Sequence, residues 1–116
     1  MNKTFYLSLF TFSLTTTWLF SQTTKSMNLH DFMEDYVETA EKDYKKGKKE
    51  KLLQLLNFIP ELAPEKDKAE WKQIIEEHLN SGEVLKSCKS CHVKFKKEYK
   101  KLYRKKLLDI PEDLLK

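Results

Sequence analysis

Between Asn28 and Leu108 apolar residues recur at spacings of three and four, broken only at Gly47, at Pro60 to Pro64 and at Ser81-Gly82. That spacing gives a helix one apolar side. With 2 Gly and 3 Pro in 116 residues, little else in the chain breaks helices. Asn28 suits an N-cap, with Asp31 at the third helical position, and helix A is expected from Leu29 to Lys46. Its inward residues are Leu29, Phe32, Met33, Tyr36, Val37, Ala40 and Tyr44, and Gly47 ends it. Helix B is expected from Lys49 to Phe58 with Pro60 as its stop, and helix C from Pro64 to Asn80. Helix D runs from Glu83 to Lys106 or Leu108, with Val84, Leu85, Cys88, Cys91, His92, Phe95, Tyr99 and Leu102 inward and Pro111 in a short tail. No run alternates with period two. The expectation is an all-α protein, an antiparallel four-helix bundle in a single domain over 22–116.

Residues 1–21 read as an export signal. Lys3 supplies the positive start, and Phe5 to Phe20 form an apolar run of about 16 residues, short of the roughly 20 that a membrane anchor needs. Cleavage after Ser21 leaves Gln22 first, and residues 22–27 form a polar lead-in. The expected location is periplasmic or otherwise exported, with no stable membrane span after cleavage.

Export changes the meaning of the two cysteines, Cys88 and Cys91. A disulfide between residues three apart closes a tiny loop and constrains the unfolded chain little. Cys88-Lys89-Ser90-Cys91-His92 is instead the C-x-x-C-H pattern of c-type haem attachment. On a helix, positions i, i+3 and i+4 share a face, so two thioethers and an iron-binding imidazole can converge on one haem. Zinc would need four ligands, and His30 and His78 have no matching spacing. A redox dithiol would sit beside a βαβ unit, which the sequence lacks. One covalent haem c and its iron are the expected cofactor, relieving a core that is thin for so short a chain.

With this motif on the last of four helices, followed by Phe95, the chain resembles the class II cytochromes c, which include cytochrome c-prime and its low-spin relatives. Where the family often has Arg after the aromatic, this chain has Lys96. The resemblance implies a bundle with haem on its last helix, and an iron that is either five-coordinate or capped by a Met of the first helix. At about 100° per residue, Met33 lies near the middle of helix A's apolar stripe and His30 about 80° from it, while Met27 precedes the helix. Met33 is therefore the expected distal ligand opposite His92. An inward Met is also common core filler. His78 is expected as a satisfied, inward histidine.

Met and His ligation suits one-electron transfer with little rearrangement, so the expected function is an electron carrier and not an enzyme. The alternative is a five-coordinate, gas-binding or sensing haem protein. Helix D and its end carry nine Lys and one Arg between Lys86 and Lys106 against Glu98 alone, while helices A to C lean acidic and the whole chain is at +4. That surface suits acidic redox partner proteins, or is a solvated helix face. Export and the haem motif argue against nucleic acid. A homodimer through helices A and B, as in many resembling proteins, stays open.

Overall fold

A computed structural model describes residues 22–116, and the expected signal at 1–21 lies outside them. In chain order the elements are strand β1 (Thr24–Asn28), α1 (Leu29–Phe32), a π-helical stretch (Met33–Val37), α2 (Glu38–Lys45), α3 (Glu50–Phe58), a 3-10 turn (Ile59–Leu62), α4 (Lys68–Ser81), α5 (Val84–Tyr103), strand β2 (Leu107–Pro111) and a last 3-10 turn (Glu112–Leu115). No helix among the described residues is long and apolar enough to cross a membrane.

Local chemistry accounts for the helix ends. Asn28 caps α1: the Asp31 backbone N–H donates to Asn28 Oδ1 at 2.8 Å, and Asn28 Nδ2 donates to Asp31 Oδ2 at 2.9 Å. From Leu29 to Lys45 the chain is helical throughout, but its middle turn is wider. There the Glu38 N–H reaches back five residues to the Met33 carbonyl. Gly47 and Gly82, with φ of +96° and +77°, take the left-handed conformation after α2 and α4 that a side chain would strain. Pro60 lies in the 3-10 turn after α3, and α4 begins at Lys68, one turn later than Pro64 suggests.

The expected all-α, antiparallel four-helix bundle is not what forms. The chain also contains a two-stranded antiparallel sheet, with Thr24 opposite Pro111, Lys25 opposite Ile110, Ser26 opposite Asp109, Met27 opposite Leu108 and Asn28 opposite Leu107. The pairing captures the stretches expected as polar lead-in and tail, and helix D ends at Tyr103. Opposed residues share a face. Met27, Leu108 and Ile110 are buried on the inner face, while Ser26 Oγ donates to Asp109 Oδ1 at 2.6 Å on the outer one. A two-stranded ribbon is marginal alone, so its apolar face needs the helices beneath it.

Helix packing is also uneven. α5 lies along α4, where Trp71 meets Phe95 and Tyr99 at ring-centroid distances of 5.7 and 5.9 Å, and α2 lies along α3. Between the first helical segment and α5 the backbones make few close approaches, and a cleft takes the place of a packed interface. Leu102, expected inward, is 55% exposed. The inward row on α5 is Ser87, Cys91, Phe95, Tyr99 and Tyr103, which leaves Leu102 about 100° to one side.

Ile110 is fully buried in the one core that joins the ribbon to the helices. Ile110→Ala should therefore lower unfolding free energy by about 2–5 kcal/mol in a urea titration. Val93→Ala, at a side chain 77% exposed, should change it by no more than about 0.5 kcal/mol.

Candidate functional site

Along α5 every fourth residue from Cys88 gives His92, Lys96 and Lys100, with Arg104 following at the C-cap, and every fourth from Cys91 gives Phe95, Tyr99 and Tyr103. Residues at that spacing stack in one row along a helix. The two rows are adjacent, one ending in cations and the other in aromatics. All members except Tyr103 line a cleft of about 880 Å³. Across it stand Leu29, Met33, Val37 and Glu41 of the first helical segment, and Trp71 and Ile75 of α4 form part of its wall. The opening is large enough for a small ligand, and its lining mixes apolar side chains with charged ones on both sides.

The structure brings the sequence-predicted residues to this one cleft. Cys88 and Cys91 are half-buried, unbridged thiols, and His92, expected inward with them, borders the same cleft but is exposed, one position off the buried row of Cys91 and Phe95. Met33, in the π-helical stretch, is half-buried on the opposite wall. His30 also borders the cleft but is exposed, 3.6 Å from both the Asp31 and the Glu34 carboxylates. His78 lies outside it, its Nε2 3.0 Å from Ser90 Oγ, a satisfied histidine on α4. Met27 is buried in the ribbon. Among the described residues no three His, Cys, Asp or Glu side chains form a group that could hold a metal ion.

Burial sets the protonation states. It pushes the Cys91 thiol up to about 11, with Cys88 adding to the shift, and it raises Cys88 as well, helped by the Glu41 carboxylate. Burial also lowers His92, and the Lys96 ammonium adds to this while Glu41 opposes it. At neutral pH the cleft therefore presents two protonated thiols and an imidazole whose lone pair is free for a metal. Glu41 is itself held by Lys45 Nζ at 2.7 Å.

Sequence reasoning missed two further groups. Trp71 Nε1 and Tyr99 Oη are buried and have no hydrogen-bond partner. An unpaired buried donor costs about 1–3 kcal/mol, and both side chains line the cleft. The row of Lys96, Lys100 and Arg104 makes no ion pair among the described residues, unlike Lys86, which pairs with Glu83, and Lys94, which pairs with Glu70. Its four-residue spacing from His92 was visible in the sequence. The orphaned donors were not, since bonding depends on neighbours far along the chain. No protein-family model, curated protein or solved structure matches the chain.

The raised thiol values have a direct consequence for the reactivity of the cysteines. Moving a thiol from 9.0 to about 11 cuts its thiolate fraction at pH 8 about 100-fold, partly offset by the greater nucleophilicity of a more basic thiolate. Alkylation of Cys91 by iodoacetamide at pH 8 should run about 10- to 100-fold slower in the folded chain than in urea, as read by peptide mass spectrometry.

Proposed function

We propose that this chain is an exported c-type cytochrome of the kind it resembles, a one-electron carrier with a single covalent haem. The observation that carries the reading is that Cys88, Cys91 and His92 of the C-x-x-C-H motif line a cleft with Met33 on its opposite wall. Cys88 and Cys91 would hold the macrocycle, each S–H adding across a vinyl group so that sulfur bonds one carbon and hydrogen the other. His92 and Met33 would bind the iron, one from each wall of the cleft. The bound group would supply a reversible one-electron couple whose potential a Met ligand raises.

The residues present fit such a group chemically. Protonated thiols are the form that addition to a vinyl group consumes, and burial keeps them so. His92, held below its ordinary value, keeps its lone pair at neutral pH. The walls contributed by Leu29, Val37, Ile75 and Phe95 would exclude water from a flat apolar ring. The unpaired cations of α5 give this side of the molecule a positive field suited to weak, fast docking of an acidic redox protein.

The mass of the exported protein tests the reading. Made with its native maturation machinery, it should exceed the mass of the polypeptide by one haem, and an unmodified mass would overturn the proposal. Visible spectra then test the distal ligand. The wild type should be low-spin in the ferrous state and slow to bind carbon monoxide, whereas Met33→Ala should become high-spin and bind it readily. A wild type already high-spin and reactive makes the protein the five-coordinate, gas-binding alternative. Electron exchange with an acidic partner should slow as salt rises from about 0.01 to 0.15 M, where screening shortens from about 30 to 8 Å.

A further inference from the structure

The end of α5 carries a second charged surface, away from the cleft. Between Lys96 and Lys106 the chain has seven cations and one acid, and that acid, Glu98, is taken by Lys66. Lys96, Lys100 and Arg104 border the cleft, whereas Lys97, Lys101, Lys105 and Lys106 are exposed outside it, with no ion-pair partner among the described residues. Two leucines share this end of the molecule. The Lys106 backbone N–H donates to the Tyr103 carbonyl at 2.9 Å, closing a turn whose ends lie within about 7 Å of each other. Leu102 and Leu107 flank that turn, 55% and 68% exposed, and neither lines the cleft. The Lys106 ammonium lies 5.8 Å from the centre of the Tyr103 ring, which holds one cation on the turn. From Lys100 to Leu107 no residue is buried, so the chain stands clear of the core here. A single exposed leucine needs no explanation. Two beside one closed turn, set among unanswered cations, form a surface.

We propose that this turn docks onto an anionic lipid bilayer, with Leu102 and Leu107 entering the headgroup boundary and Lys97, Lys101, Lys105 and Lys106 meeting lipid phosphates. Apolar burial and attraction to anionic lipid add in such binding, and the turn supplies both. Each Lys close to the surface strengthens it about fivefold. That attraction fades within about 8 Å at physiological salt, so the cations act only while the leucines keep the turn in contact. The shape selects a bilayer over an acidic protein. A stable protein interface takes about 800 Å² from each partner, which one exposed turn does not offer to a rigid surface, whereas a fluid bilayer closes around a convex one. No residue of this surface lines the cleft, so docking and cleft binding use different side chains, and the proposal stands apart from the haem reading.

The test uses the protein as isolated from its host, with any group it carries, and its mass fixes its N-terminus. Co-sedimentation is measured at about 0.1 M salt with vesicles of phosphatidylglycerol and phosphatidylcholine in equal parts, and with vesicles of phosphatidylcholine alone. The protein should bind the mixed vesicles and bind the zwitterionic ones about tenfold or more less tightly. Lys101→Gln, Lys105→Gln and Lys106→Gln combined should weaken binding about 100-fold, and Leu102→Gln with Leu107→Gln about tenfold. All five positions are exposed, so urea midpoints should stay near that of the wild type. Where the paired leucine variant does not fold, Leu107→Gln alone should still weaken binding about threefold. Failure to bind the mixed vesicles, equal binding to both kinds, or binding that survives the lysine substitutions would each overturn the proposal. So would binding that needs the lysines and ignores the leucines, which would leave a purely charged surface suited to an acidic protein.

Discussion

Side chains four residues apart on a helix stand in a single row, and the rest of this molecule is arranged around two such rows on α5. One carries Cys88, His92 and three cations, and the other carries Cys91 and three aromatics. Because the rows are adjacent, one side of one helix offers thiols, an imidazole, apolar rings and positive charge in axial order. The Trp71 contacts with Phe95 and Tyr99 fix the orientation of that side. They hold the aromatic row against α4 and leave the thiol and cation row turned to the cleft.

What faces the rows is decided by the ends of the described chain. β1 leads directly into the first helical segment and β2 follows closely after α5, so their pairing sets where the first helix begins relative to where α5 stops. Buried Met27, Leu108 and Ile110 attach the ribbon to the helical core. The Glu112 N–H extends the join by donating to the Thr23 carbonyl at 3.0 Å. The first helix is thereby held opposite α5 without packing fully onto it, and its π-helical stretch begins at Met33, on the cleft wall. Turns of this type are rare and occur often at functional sites.

The cleft has walls of opposite character. Asp31, Glu34, Glu38 and Glu41 border it on the first helical segment, and Lys96, Lys100 and Arg104 border it on α5. The acids are largely answered locally, Glu38 by Lys42 at 3.0 Å and Glu41 by Lys45. The cations of α5 are left unpaired among the described residues. Field asymmetry in a cleft matters more than net charge, because low-dielectric walls concentrate it.

The sequence by itself determined everything that depends on near neighbours. Helical spacing, the Asn28 cap, the Gly47 and Gly82 ends, and Cys88, Cys91 and His92 on one side of a helix all follow from residues within one or two turns. Met33 was legible as an inward residue because the helix A periodicity runs through it. Tertiary structure alone decided the ribbon, since a five-residue strand with two buried apolar positions, such as Leu107–Pro111, is too weak a pattern to declare a partner some 80 residues away. It alone decided that the first helix and α5 would enclose a cleft where a packed bundle was expected. It also decided that Trp71 and Tyr99 would bury donors with nothing to bond. Pairing, packing and desolvation at those positions are set by residues distant in sequence, and local periodicity carries no record of them.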